Sequence, residues 1–280
     1  MQPTFRPLPA GDQAHSAPNV PAQKSRTLRC MGTAIGLALP ADEASLNDGP
    51  VLESAAAAVE RVFSGLDAML SLYRPDSEAS RVARGEVTLR EASAPFRARF
   101  AEATGWGLLT EGFFTPERPD GVLDLSGIIK GYAMDQAPTA LQSVGAEDWC
   151  LNAGGDVLVS GSPGMGSPWL AGVVDPLDRG ALLACFPLGG ASRFAALATS
   201  GTAERGDDIW RAGVGRTEFR RSGFRQASVA AFDIVTAAVL ATAIVAGGRP
   251  MLNWATDSWD VEVLAVLGTG ELLATPGFRA

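Results

Sequence analysis

Two glycine-containing motifs constrain this chain more than any other feature of it. Asp124-Leu-Ser-Gly-Ile-Ile-Lys130-Gly-Tyr132 places a carboxylate, a flexible Gly127 and one ammonium at the entrance of an amphipathic stretch, Tyr132 to Val144, that Gly145 closes. A short apolar strand, Trp149 to Leu151, then runs into Asn152-Ala-Gly-Gly-Asp156. A loop, helix, strand and glycine turn in this order bring backbone amides and a cation onto an anion. Of 23 lysines and arginines only Lys24 and Lys130 are lysines. Either this loop demands an ammonium, or codon bias has favoured arginine everywhere else.

With 46% apolar residues in 280, the chain has ample material for a core, as one large domain or two small ones. The net charge of −8 argues against nucleic acid and anionic membrane surfaces as partners. An anionic ligand must therefore find local positive charge. Cys30, Cys150 and Cys185 are odd in number, far apart and without Cys-x-x-Cys spacing, which fits buried thiols in a reducing compartment better than disulfides or zinc. No uninterrupted apolar run of ~18 residues predicts a membrane span. No apolar segment near Met1 reads as a secretory signal, so the expected location is the cytoplasm.

Residues 1–26 are rich in proline and polar residues and are expected to be a disordered tail; the single histidine, His15, falls there. The folded domain is expected over residues 27–280. Thr27 to Leu39 reads as one strand containing Met31-Gly-Thr33. Val51 to Leu70 has apolar residues at helical spacing and predicts a core-facing helix. Ser93 as cap and Pro95 in the first turn open a second amphipathic helix to about Leu109. Pro138 should kink the helix that follows Lys130. Trp169 to Val174 reads as a strand ending in a turn at Asp175. Glu204 to Arg225 is polar and arginine-rich, whereas Thr236 to Ala246 is apolar on all sides and should be a buried helix ending at Gly247-Gly248. Val261 to Leu267 and Glu271 to Ala274 flank Gly268-Thr-Gly270 as a hairpin.

The two motifs resemble the signature of the ApbE family, FAD:protein FMN transferases, and the resemblance extends from about Met31 to Ala246. It implies an α+β fold: one T-fold-like domain of two interleaved subdomains, with antiparallel sheets and flanking helices. By resemblance, Met31 lies against a flavin and Tyr73, in Ser71-Leu-Tyr73-Arg-Pro-Asp-Ser77-Glu78-Ala-Ser80, stacks on it. The plainer readings are a core methionine and a tyrosine packed beneath its loop. Thr110-Glu-Gly112-Phe113-Phe114-Thr115-Pro116 is similar to a flavin-contacting loop, with Phe114 where the family has aspartate. Asp124 and Lys130 complete the implied FAD pocket, the alternative being a surface ion pair between them.

The resemblance also implies Mg²⁺, held by a loop carbonyl at Gly127 and by an aspartate and threonine four apart; Thr242 is kept, but Ala238 replaces the aspartate. The family's histidine, a general base, corresponds to Asp208 in Asp208-Ile209-Trp210-Arg211, with Arg211 in place of a following aspartate. An aspartate of ordinary pKa, about 4, is a weaker base than imidazole. Asp233 is poorly placed to replace the missing metal ligand. Arg211 could hold pyrophosphate as a bidentate fork in place of the metal. Four functions follow from the resemblance and its departures. They are transfer of FMN from FAD to a Thr or Ser of an acceptor protein, flavin binding alone, FAD pyrophosphatase activity, and an interaction protein that keeps only the fold.

Overall fold

The computed structural model describes residues 6–7, 22–41, 48–164, 166–201 and 223–279. The central sheet has nine strands, all paired antiparallel. In chain order these are β1 (Arg6–Pro7), β2 (Gln23–Cys30), β3 (Thr33–Pro40), β4 (Trp149–Ala153), β5 (Asp156–Ser160), β8 (Ala196–Gly201), β9 (Phe224–Ala231), β10 (Glu262–Leu267) and β11 (Leu272–Ala274). Across the sheet they run β1-β11-β10-β9-β8-β5-β4-β3-β2. The numbers missing from that series belong to a separate hairpin, β6 (Trp169–Val174) and β7 (Leu182–Leu188).

Five α-helices and a 3-10 turn at Pro276–Phe278 complete the described chain: α1 (Asp48–Leu70), α2 (Glu78–Ala83), α3 (Ala94–Leu109), α4 (Ile129–Gln142) and α5 (Ile234–Ser258). Helix α5 packs on β8 and β9 and crosses α4, while α1 packs on α4 and β2.

Side chains alternate between the two faces of a strand, and here both faces are covered. Leu158, Ala198, Val229, Val263 and Leu273 join the helix-side core, whereas Val157, Val159, Leu197, Ala230 and Leu264 join a second core with Trp169, Val173 and Phe186 of the hairpin. The molecule is therefore layered as helices, sheet and hairpin. This double burial explains why β5 and β9 are buried at nearly every position rather than at alternate ones, β9 even at the polar Gln226 and Ser228.

The α+β architecture of antiparallel sheets and flanking helices agrees with the expectation, and several local readings change. Thr27 to Leu39 is a hairpin, not one strand: Met31 and Gly32 form its two-residue turn with φ of 51° and 70°, the left-handed geometry such turns require. Strand β2 begins at Gln23, so residues 23–26 are sheet and not tail, and Arg6 and Pro7 pair with Ala274 and Leu273. Residues 1–5 and 8–21 of the expected tail, with His15, lie outside the described residues.

Helix α3 buries only Phe96 and Ala103, so it is a largely exposed cover with little amphipathic character. Helix α4 continues through Pro138. Helix α5 does not end at Gly248: the chain kinks there, at φ 65° and ψ −151°, and resumes as helix to Ser258. By length and composition α5 alone among the described helices could cross a membrane, but 78% of its most apolar window is buried inside this fold. Phe224 and Arg225, read as part of a polar segment, begin β9. Of the thiols, Cys30 and Cys150 are partly buried and Cys185 is exposed, so the expectation of three buried thiols fails at Cys185.

Candidate functional site

A cavity of about 640 Å³ opens where the β2–β3 turn, the loop after α1, the start of α4, the β4–β5 turn and the β6–β7 connection meet. That volume lies within the roughly 300–1,000 Å³ of small-molecule sites. Of the residues expected at the site, Met31, Tyr73, Phe114, Asp124, Gly127, Lys130 and Thr242 line this cavity. Thr33 and Arg74, which lie within the quoted motifs but were given no role, and Asp67 and Arg179, which lie in none, also line it.

The serines of the tyrosine loop explain its shape. Ser77 caps α2 by accepting from Ser80 N at 3.0 Å, and its hydroxyl donates to Ser71 O at 2.6 Å. Ser80 Oγ donates to Leu72 O at 3.3 Å. With both serines buried, the loop is pinned from below and Tyr73 projects outward, 85% exposed. The reading of Tyr73 as a residue packed under its loop is thereby excluded. Beside it, Arg74 lies 3.5 Å from both Asp67 and Asp76.

Phe114 is buried against the cavity wall, its backbone fixed by Thr110, whose Oγ1 accepts from Phe114 N at 3.1 Å. Gly112 and Phe113 do not line the cavity, contrary to expectation. The Phe113 ring instead packs so closely on Gly247 that a Cβ there would come within 2.7 Å of it. The loop turns left-handed at Glu111 and Gly112, which sends Phe113 into the core and Phe114 toward the cavity.

Asp124 and Lys130 are not paired to each other. The Asp124 carboxylate is buried and closes a local turn by accepting from Ser126 N at 2.8 Å, with Arg118 3.9 Å away. Lys130, in the first turn of α4, reaches across to the second motif: Nζ lies 2.7 Å from Asp156 Oδ2 and donates to Ala153 O at 3.3 Å. Asp156 Oδ1 in turn accepts from Thr199 N at 3.0 Å. Gly154 holds the β4–β5 turn at φ 62°, and a Cβ there would meet Thr33 Oγ1 at 2.5 Å and Lys130 Nζ at 3.6 Å. The two motifs are thus two halves of one ion-pair site. Their co-occurrence was visible in sequence; the contact between them was not.

Thr242 exchanges a hydrogen bond with Ser200 Oγ at 2.8 Å. One turn earlier on α5, Ala238 is buried against α4, and a Cβ on Gly131 would lie 3.7 Å from its own. Asp233 caps α5, accepting from Thr236 N at 2.8 Å and from its hydroxyl at 2.7 Å. Magnesium demands a near-octahedral oxygen shell, usually with one or two carboxylates. Among the described residues no group of three or more His, Cys, Asp and Glu could hold a metal, and Asp67, Asp124 and Asp156 each already have partners. These residues do not fit Mg²⁺. Asp208, Ile209 and Arg211 lie outside the described residues.

The chain is 34% identical over 168 residues to an FAD:protein FMN transferase of Rhodobacter capsulatus, a match covering 56% of this chain and 30% of that protein. It is 24% identical over 191 residues to the enzyme of the same name from Haemophilus influenzae, covering 48% and 55%. The chain thus spans little more than half, or less, of these relatives' length. Among solved structures, the ApbE protein of Thermotoga maritima superposes with TM-score 0.70 at 20% identity, covering 92% of this chain and 98% of that one. The flavin transferase ApbE of Vibrio cholerae superposes with TM-score 0.69 at 22% identity and covers the same shares. These two likenesses establish the shared fold. A model of the ApbE family matches residues 115–265, more than half of the chain, and so this chain belongs to the ApbE family.

Proposed function

We propose that the cavity binds FAD and that the chain transfers its FMN half to a Thr or Ser hydroxyl of an acceptor protein. The transfer forms a phosphoester to the hydroxyl oxygen, breaks the phosphoanhydride and releases AMP with the hydroxyl's proton. One observation carries this reading: an exposed aromatic ring, a tethered ammonium and a helix N-terminus converge on one cavity, which suits a flat heterocycle joined to phosphate. The relatives' names support the same chemistry. Asp208 is the residue we assign to accept the proton, by its place in the motif.

The Ala238–Gly131 contact favours a second reading, flavin binding without transfer, because it removes the carboxylate through which a metal would grip the diphosphate. Mg²⁺ is left out of the site accordingly. The test is to incubate the protein with FAD and a threonine-containing acceptor peptide, following peptide mass and AMP. Acceptor-dependent AMP release with a matching mass gain supports transfer. Bound FAD without AMP supports the second reading, AMP without acceptor indicates a pyrophosphatase, and no flavin binding under any condition removes the whole reading.

A further inference from the structure

The Lys130–Asp156 pair is nearly enclosed: the lysine side chain is 16% exposed and the aspartate 5%. Taking both charges out of water is costly, and such pairs are often no more stable than well-packed apolar residues of the same volume. Stability alone therefore accounts poorly for this pair. Its construction also exceeds what an ion pair needs. Asp156 is held on one oxygen by Thr199 N and offers the other to the ammonium. Ala153 O gives the ammonium a second acceptor, and the turn at Gly154 leaves room that a side chain would fill.

An ammonium carries three donors. Among the described residues Asp156 and Ala153 take two, and Lys130 lines the cavity.

We propose that Asp156 is a positioning residue that fixes the Lys130 ammonium at the cavity wall so that its remaining N–H donates to a phosphate oxygen of the bound flavin nucleotide. The inference rests on the flavin reading of the site and adds the residue that makes Lys130 a directed phosphate donor. An arginine would not serve, because its planar fork is larger and would engage the carboxylate through two donors at once.

The experiment titrates riboflavin, FMN and FAD, which share the ring system but carry no phosphate, one and two. The proteins are the wild type, Lys130→Met, Asp156→Asn and the double variant. Asparagine keeps an oxygen for Thr199 N while removing the charge. Lys130→Met and Asp156→Asn should each weaken FAD binding by about tenfold, the worth of one charge-assisted hydrogen bond, and leave riboflavin binding within about twofold. Loss shared with FMN assigns the contact to the riboflavin-side phosphate, and loss confined to FAD assigns it to the other.

The double variant should bind FAD no more weakly than Lys130→Met, because without the ammonium the remaining carboxylate only repels phosphate. A merely structural role predicts the opposite: equal losses for riboflavin and FAD, and a further loss when Asp156→Asn is added to Lys130→Met. Either result overturns the proposal. If Asp156→Asn alone fails to fold, Lys130→Met against the double variant still decides the sign. Wild-type protein that binds no flavin overturns the site reading as well. FAD binding indifferent to Lys130→Met overturns this inference alone.

Discussion

Tyr73 is highly exposed, yet it stands on a loop held by three serine hydrogen bonds. That combination separates binding from stability. Tyr73→Ala should leave the thermal midpoint unchanged, since surface substitutions stay within about 0.5 kcal/mol. It should weaken flavin binding by about 2- to 12-fold, the equivalent of one aromatic stack. Fluorescence titration beside a thermal melt reads both. The thiols give a second residue-scale test. Burial pushes the Cys150 thiol up to about 11, whereas Cys185 is exposed. A thiol with a raised folded-state pKa stays neutral at pH 8, and the stability linked to its neutral form is present below about 9 and lost as pH rises from there through about 11. In native protein at pH 8, a thiol-reactive chromophore should modify Cys185 promptly and Cys150 only after denaturant is added. Prompt native labelling of Cys150 would contradict its placement in β4.

The crossing of α4 and α5 is close because Gly131 faces Ala238, with a Cβ spacing of 3.7 Å if Gly131 carried one. Packing of two small residues replaces the place where a metal carboxylate is expected by resemblance. Wild-type FAD affinity should therefore change by less than about threefold between excess Mg²⁺ and EDTA, since no built carboxylate shell awaits the ion. A gain above tenfold on adding Mg²⁺ would refute this. Ala238→Asp should lower the thermal midpoint in EDTA by burying a charge, at a cost of about 1–3 kcal/mol. Mg²⁺ should then recover part of the loss and make FAD affinity metal-dependent. Calorimetric titration and melts of both proteins give the answer.

The central sheet is shared by two cores, so neither outer layer has an apolar face of its own to retain when the sheet opens. Unfolding should be a single cooperative transition, with near-UV and far-UV circular dichroism coinciding. Leu264, fully buried between the sheet and the hairpin, tests this from the less populated side. Leu264→Ala should cost about 2–5 kcal/mol and shift both signals together. Two separated transitions would mean that the hairpin layer unfolds independently.

Patterns local in the chain were legible without the structure. Helix α1, the cap at Ser93, the strand ending at Asp175 and the β10–β11 hairpin all follow from periodicity, capping residues and turn chemistry acting over a few neighbours. The α+β class and the outline of the site were legible through two motifs. The β2–β3 hairpin was misread because its turn is made by Met31, a residue that carries no turn signal, and the end of α5 because a Gly-Gly-Arg-Pro stretch that usually stops a helix here only bends it. Phe113 and Phe114 are adjacent and chemically identical; which one faces the cavity depends on the left-handed step at Glu111 and Gly112.

The sequence by itself determined which groups the site has: a tyrosine, an ammonium, two aspartates and the glycines that admit them. Only the tertiary structure decided their pairing. Lys130 bonds Asp156 across 26 residues, and Asp124 turns back on Ser126, because strand register and helix crossing choose partners over distances that no local pattern encodes.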